Sequence, residues 1–371
     1  MKYTFPTFIR SQFTTLPPVD VPDLTGRVVI VTGSNIGLGY EAAKTFARYN
    51  PSRLILAVRN TKAGDKAAQE IVEANGGKGT VPEVWELDLG RLQSVKDFAD
   101  KVNNELERLD IFVSNAGIAT EKFTRTVDGF ESTSQVNNIA NSLLSVLLIP
   151  ILRRTASLPP PTPTSPPLMP HLCIVASEVH HWINGILPGM KQGRKDTLQC
   201  FQEEELFEGG NRYSESKAVN VLNVFVLADL IGPDIVVNAI NPGFCHSGLM
   251  RESVGIKGLL AALMKMIIAR STEVGSRNLV WAGTQEMPTG SYVHDCAISE
   301  YVLGFLLYYP VSAPENVGDQ LVDLSYLYLI RPSDFVISAQ GREIGKEIWD
   351  EMKAVWKEKV GVDADAIINS K

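Results

Sequence analysis

The chain has 371 residues, 44% of them hydrophobic and 21% charged, a globular composition long enough to bury one large core or two small ones. Its formal net charge of -7 gives no basic footprint for neutralising phosphates, which excludes nucleic acid as the expected partner. Four cysteines, Cys173, Cys200, Cys245 and Cys296, lie far apart with no C-x-x-C pair, which fits reduced thiols inside a cell and leaves no structural zinc spacing.

In chain order, residues 1–23 are polar and aromatic, contain Pro6, Pro17, Pro18 and Pro22, and hold no apolar run of leader or membrane-spanning length. Residues 1–24 are expected to form a surface arm of a cytoplasmic protein. From Arg27, short β-branched runs alternate with longer helical patterns, the signature of βαβ units and a parallel sheet. Strands are predicted at 28–31, 54–58, 84–87, 111–113, 172–176 and 235–240. Helices, with apolar residues recurring at three and four, are predicted at 38–49, 62–74, 92–106, 130–152 and 213–231. Six strands with intervening helices make an α/β fold, a doubly wound parallel sheet in a Rossmann-like three-layer sandwich spanning 25–300. The Pro/Ser/Thr-rich stretch 155–170 cannot propagate a helix and is expected as an exposed loop entering the fifth strand. Residues 301–331 form an atypical apolar insertion, too broken by Pro310 and Pro314 to be one spanning helix, and 332–371 should be a C-terminal helix and tail.

The first strand runs into Thr32-Gly33-Ser34-Asn35-Ile36-Gly37-Leu38-Gly39, after which the helical pattern starts. A side chain here would keep the backbone from a pyrophosphate, whose charge is met by amide N–H groups and the positive end of the helix. A glycine-rich turn alone is weak evidence; a strand before it and a helix after it strengthen the reading. Where an NAD-type site carries a carboxylate for the ribose 2′-hydroxyl stand Arg59-Asn60, with Lys62 close behind. A guanidinium pairs with a 2′-phosphate, so the expected cofactor is NADP(H) rather than NAD(H); the plainer reading is an Arg on a surface loop. Asp88 and Leu89 follow the third strand, where a carboxylate can accept from an adenine amino group. Asn115-Ala116-Gly117 follow the fourth, small enough for close approach, with Asn115 placed to lock the strand ends together. Taken singly, each of these is equally well a turn.

Tyr213-Ser214-Glu215-Ser216-Lys217 opens a predicted helix, so Tyr213 and Lys217, four apart, project on one face. A phenol near pKa 10 needs help to move a proton at neutral pH, and a neighbouring ammonium favours its phenolate. Tyr213 would give the proton to a developing alkoxide while Lys217 lowers its pKa and holds ribose hydroxyls. Such a pair arises on helix surfaces by chance, but Ser177 falls just after the fifth strand, at the sheet edge where ligands bind, and can orient a substrate oxygen. Asn137, mid-helix in Gln135-Val136-Asn137-Asn138, lowers helix propensity and suggests a task such as holding a water for proton relay; Asn138 and Asn141 are its alternatives.

In order and context, the Thr32 to Gly39 turn, Asn115-Ala116-Gly117, Asn137, Ser177, Tyr213 with Lys217, and Asn241-Pro242-Gly243 resemble the short-chain dehydrogenase/reductase superfamily over roughly 24–300. The Asn35 glycine loop, Arg59 and Ser177-Glu178-Val179-His180-His181 look most like the retinol dehydrogenase and WW-domain oxidoreductase branch and its fungal relatives. The resemblance implies NADP(H) use, a catalytic tetrad of Asn137, Ser177, Tyr213 and Lys217, and Pro242-Gly243 near the nicotinamide. Departures are visible. Ser177 and Tyr213 stand 36 positions apart, which makes 178–212 an extended substrate loop carrying Trp182, Ile183 and Ile186. Where the family often has a Thr touching the nicotinamide amide, Ser247 is the nearest hydroxyl. Residues 301–331 have no family counterpart, and the pattern resumes at Ser333-Asp334-Phe335.

His180-His181-Trp182 suggests a metal, but adjacent histidines in an extended loop should point apart and no acidic or Cys partner has ligand spacing, so no metal is expected. The apolar stretch 258–269 reads as a helical lid over a lipophilic pocket, with a membrane-dipping face as the alternative. Trp349 and Trp356 mark an amphipathic helix docking on the domain. The expected reaction is hydride transfer between the nicotinamide and a small lipophilic ketone, aldehyde or secondary alcohol, by family analogy a secondary metabolite. Rival readings are a catalytically silent NADP(H) sensor or scaffold and a membrane-attached enzyme anchored through 301–330. A homodimer stays open.

Overall fold

The computed structural model describes residues 4–163, 165–183, 186–246, 248–250, 265–298 and 331–370. The expected insertion at 301–331, all but Arg331, lies outside these residues, as do Ser247 and most of the expected lid helix at 258–269.

The strands are β1 (Val28–Thr32), β2 (Arg53–Val58), β3 (Glu83–Glu86), β4 (Ile111–Ser114), β5 (His171–Val175), β6 (Val236–Asn241), β7 (Ser291–His294) and β8 (Ala297–Ile298). They form one sheet in the order β3-β2-β1-β4-β5-β6-β7-β8, parallel throughout except that β8 runs antiparallel to β7. β1 reads Val-Val-Ile-Val-Thr and is buried along its whole length, because helices cover both faces and neither face needs polar residues. Period-two alternation then divides it: Val28 and Ile30 enter one apolar core, Val29 and Val31 the other. The first core lies under α4 (Leu92–Glu105) and the helices Ala140–Leu147, Gly209–Ile231 and Ala339–Val360. The second lies under α2 (Gly37–Ala47), α3 (Thr61–Ala74) and Thr272–Thr284. Winding reverses between β1 and β4, so the carboxyl ends of these neighbours open the crevice where such sheets bind ligands.

The three-layer fold is the one expected, with four corrections. Among the described residues the sheet has eight strands rather than six, since Ser-Tyr-Val-His at β7 has no strong apolar pattern and becomes a strand by pairing with β6. The N-terminal stretch is not a superficial arm. It forms α1 (Phe5–Gln12), capped by Thr4, and buries Phe8, Leu16, Val21 and Leu24. The predicted 130–152 helix is interrupted: a π turn at Gln135–Ile139 precedes Ala140–Leu147, and a further helix, Ile149–Ser157, runs past Thr155 into the expected loop as far as Ser157. The helix bearing Tyr213 starts at Gly209, which moves Tyr213 from the opening into the second turn.

Two apolar stretches find their covers inside the protein. Ser132–Ser157 has the length and hydropathy of a membrane span, yet 89% of its apolar 18-residue window is buried inside the protein. The C-terminal helix Ala339–Val360 docks as expected, with Trp349 and Trp356 buried and ring centroids 5.5 Å apart. The tail beyond it is helical, and Arg153 ties its end down through the Ile367 and Ser370 carbonyls.

Candidate active site

The turn after β1 requires glycine at particular positions. Gly33 (φ +63°) and Gly37 (φ +65°) both take left-handed conformations. A Cβ at Gly33 would sit 2.9 Å from the Ala116 Cα, and one at Gly39 would strike the Asn115 amide at 2.5 Å and the Gly33 carbonyl at 2.7 Å. The turn is thereby locked against the end of β4. The Asn115 side chain donates to the Thr32 carbonyl at 2.9 Å, and the Thr32 hydroxyl accepts from the backbone of Asn115 (3.0 Å) and Ala116 (2.9 Å). This is the strand-locking role expected of Asn115. Ser34 is fully buried with its hydroxyl turned back onto the Val31 carbonyl, so only its main chain faces the crevice; Asn35, Ile36 and Leu38 keep exposed or half-buried side chains around it.

Asn137, Ser177, Tyr213 and Lys217 converge beside this turn from separate elements. Asn137 stands in the π turn, a local widening that recurs at functional sites and that helical periodicity does not reveal. Its carboxamide oxygen accepts from the Ile118 N–H at 2.9 Å, while its amide donates to the Ile118 carbonyl (2.8 Å) and the Ser216 hydroxyl (2.9 Å). One lone pair of that oxygen is left. A Cβ at Gly117 would lie 3.1 Å from it and 3.7 Å from Lys217 Nζ, so the glycine lets oxygen and ammonium face one space. The alternatives to Asn137 are braces: Asn138 bonds the Ser216 carbonyl and Asn220, and Asn141 bonds Ser114 and the Ala116 carbonyl. Ser177, at the end of β5, caps the short turn Glu178–His181 and bonds the Tyr213 hydroxyl.

Charge is set by burial here. Lys217 Nζ donates to the Val175 carbonyl at 2.7 Å and lies 5.5 Å from the centre of the Tyr213 ring. Burial pushes Tyr213 well above the ordinary phenol value; the Ser177 hydrogen bond draws it down, and Glu178 and Cys245 push it further up. The lowering expected from Lys217 is overruled by desolvation, because the ammonium is aimed at a carbonyl and is itself pushed down to about 8 by burial. Tyr213 therefore carries its proton at neutral pH, the form that donates. Below pH 8 the buried ammonium destabilises the fold, and between about pH 8 and 10.5 the folded chain binds fewer protons at this site than the unfolded chain, so the penalty fades as pH rises. Lys217→Met is expected to be more stable than the native chain at pH 7, by up to about 3 kcal/mol less the lost bond to Val175. That advantage should shrink between pH 8 and 10.5. Paired thermal midpoints across this range check it, and a constant difference would sink it.

The remaining candidates line the crevice more loosely. Arg59 and Lys62 flank the start of α3, exposed and without an ion pair among the described residues, while Asn60 caps that helix through the Ala63 N–H. Asp88 is partly engaged: one oxygen accepts from the Gly90 N–H at 2.9 Å and the other lies 3.7 Å from Arg91. The Leu89 side chain is buried and its carbonyl accepts from Gln135. Pro242 is buried, and Gly243 (φ +78°) turns the chain away from β6. In the loop after β5, Trp182 is 51% and Ile186 40% exposed, whereas Ile183 belongs to the core.

One expectation is overturned. His180 and His181 do not point apart; the loop tightens into a 3-10 turn and their rings meet at a tilt of 41° with centroids 4.2 Å apart. His180 Nε2 accepts from the Ser333 N–H at 3.0 Å, so Nδ1 carries the proton and donates to the Ser177 carbonyl at 2.6 Å. Among the described residues no group of three or more His, Cys, Asp and Glu side chains is placed to hold a metal. Sequence reasoning missed His294 and Asp295 entirely, since they sit on the unrecognised β7 and its turn.

A family model described as short chain dehydrogenase matches residues 27–157. Along 361 residues the chain is 33% identical to the short-chain dehydrogenase anuD of Penicillium roqueforti, covering 95% of this chain and 83% of that one. It is 36% identical over 292 residues to the short chain dehydrogenase sol3 of Alternaria solani, covering 78% of this chain and 96% of that one. Among solved structures, an uncharacterized protein of Mycobacterium paratuberculosis superposes with a TM-score of 0.53 at 28% identity, over 74% of this chain and 82% of that one. A short chain dehydrogenase of Shigella flexneri, solved with NADP, shares the fold with a TM-score of 0.52 at 22% identity, over 74% of this chain and 98% of that one. The sheet order, the turn after β1 and a third of the residues along nearly the whole length agree on one conclusion: the chain belongs to the short-chain dehydrogenase/reductase family and is an oxidoreductase.

Proposed function

We propose that the protein is an NADP(H)-dependent carbonyl reductase or alcohol dehydrogenase in which Tyr213 is the general acid/base. The observation that carries this reading is the meeting of Ser177, Tyr213 and Lys217 beside the glycine turn, with Tyr213 protonated. When bound, the cofactor supplies or receives the hydride. The residues fit it: the left-handed Gly33 and Gly37 bring bare backbone to the crevice, and among the described residues nothing beyond its own chain neighbours and helix backbone lies within 4 Å of where a Gly37 Cβ would stand. Arg59, exposed and without an ion pair among the described residues, stands at the end of β2 and supplies a fork suited to a 2′-phosphate, with Lys62 behind it. Lys217 holds ribose hydroxyls, Ser177 orients the substrate oxygen, and Tyr213 delivers a proton to it as the C–O bond gains charge. Exposed Trp182, Ile186, Met266 and Ile267 suit a lipophilic substrate.

Calorimetric titration with NADPH and with NADH tests the cofactor. The native chain should prefer NADPH, and Arg59→Ala should lose about ten- to a hundredfold in NADPH affinity, the worth of a charge-assisted pair, with NADH unchanged. Equal affinities in the native chain would overturn the NADP(H) assignment, and binding of neither would overturn the whole reading.

A further inference from the structure

Beside the carboxyl ends of β6 and β7, α1 docks through both apolar and polar contacts. Phe8 packs against Trp182 and Phe244, with ring centroids 5.9 and 6.3 Å away. The Ser11 hydroxyl lies 3.0 Å from His294 Nε2 and donates to Asp295 Oδ2 at 3.1 Å. Arg270 donates to the Ser11 carbonyl and pairs with Asp295 at 2.7 Å. On the far side of the imidazole, His294 Nδ1 lies 2.8 Å from the Asn241 amide nitrogen. The Asn241 carboxamide oxygen accepts from two backbone N–H groups, Glu178 at 3.1 Å and Gly243 at 3.0 Å.

These contacts fix every proton. With its oxygen committed to two donors, Asn241 must turn its NH2 toward His294, which then presents a bare Nδ1 and carries its hydrogen on Nε2. The bonds run in one direction, from Asn241 to His294 and on to Ser11 and Asp295: the Asp295 Oδ2 that accepts from Ser11 also lies 3.2 Å from His294 Nε2, and Asn241, His294 and Ser11 are 0%, 0% and 3% exposed. At the receiving end, Asp295 (φ +52°) and Cys296 (φ +54°) adopt left-handed backbone that side chains disfavour. The hairpin between β7 and β8 holds this strain and keeps the Asp295 carboxylate against Ser11 and Arg270.

We propose that Ser11 is a positioning residue for the nicotinamide end of the site: through His294 it holds the Asn241 carboxamide, which fixes the Pro242-Gly243 turn and the Ser177-Glu178 turn to each other. The inference rests on the NADP(H) reading above, which puts the nicotinamide beside Pro242-Gly243. The adenosine end lies elsewhere, since Arg59 and Asp88 follow β2 and β3, beyond β1, β4 and β5 from this relay.

That separation supplies the test. NADP+ reaches both ends, whereas adenosine 2′,5′-bisphosphate has the 2′-phosphate and no nicotinamide. Ser11→Ala should weaken NADP+ about fivefold, the worth of one hydrogen bond, and leave the bisphosphate unchanged. His294→Leu should do the same, and Ser11→Thr, which keeps the hydroxyl, should restore native affinity. Hydrogen exchange at the Glu178 and Gly243 amides should quicken in Ser11→Ala. Because Ser11→Ala removes a single hydroxyl, the test survives even if His294→Leu does not fold. Unchanged NADP+ binding in Ser11→Ala, weakening of both ligands together, or no recovery in Ser11→Thr overturns the inference while the reading of function stands. Failure of the native chain to bind either ligand removes that reading and the inference with it.

Discussion

Tyr213→Phe is expected to lower kcat on the order of 10²–10⁴-fold, the range of a positioned proton donor, while leaving NADPH affinity and the melting temperature near native. The substitution removes one oxygen and its bond to Ser177 and keeps the ring beside Lys217. The size of the loss follows from the state of the phenol: burial keeps it protonated at neutral pH, so in the reduction direction its proton is available without help from solvent. Single-turnover oxidation of NADPH by a carbonyl substrate, compared between native and variant chains, makes the measurement. A variant that turns over at the native rate would place the proton donor elsewhere and overturn the role given to Tyr213.

The second large effect belongs to the C-terminal helix. Trp356 is fully buried, meets Trp349 edge to face, and donates its indole N–H to the Ile139 carbonyl at 3.1 Å. Trp356→Ala should destabilise the chain by about 3–5 kcal/mol, through the cavity it leaves and the carbonyl it strands. Ile139 ends the π turn that presents Asn137, so the same change should also slow turnover in protein that remains folded. Trp356→Phe separates the two effects: it keeps most of the volume and loses only the hydrogen bond, at about 1 kcal/mol. Chemical denaturation of the three chains, with turnover measured well below the midpoint, reads both. Turnover that tracks the folded fraction alone in Trp356→Ala would show that the helix supports the fold without supporting the site.

The legible part of the site was the part encoded locally. The glycine turn declared itself because Gly33, Gly37 and Gly39 stand between a β-branched run and a helical pattern, and the structure uses two of them for left-handed backbone and the third for close packing. Tyr213 and Lys217 share a face because they are four residues apart on one helix, whatever packs around it. The misreadings share a cause. Residue order alone reads the histidine pair as part of an extended loop, but Ser177 caps the segment and Ser333, more than 150 residues later, takes His180 as its acceptor. The polar arm became a helix because Phe8 found Trp182 and Phe244 and Ser11 found His294 and Asp295, all far away in the sequence.

Residue type and spacing alone settled the α/β class, the doubly wound parallel arrangement, the glycine turn and the Tyr-Lys pair, since each depends on backbone geometry within a few residues. Packing decided the rest. Ser-Tyr-Val-His is a strand because β6 offers it an edge, Tyr213 is held protonated because the fold withdraws it from water, and Ser11 reaches His294 across 283 positions. Desolvation and long-range hydrogen bonds come into being only when distant segments close on each other, so no local pattern announces them.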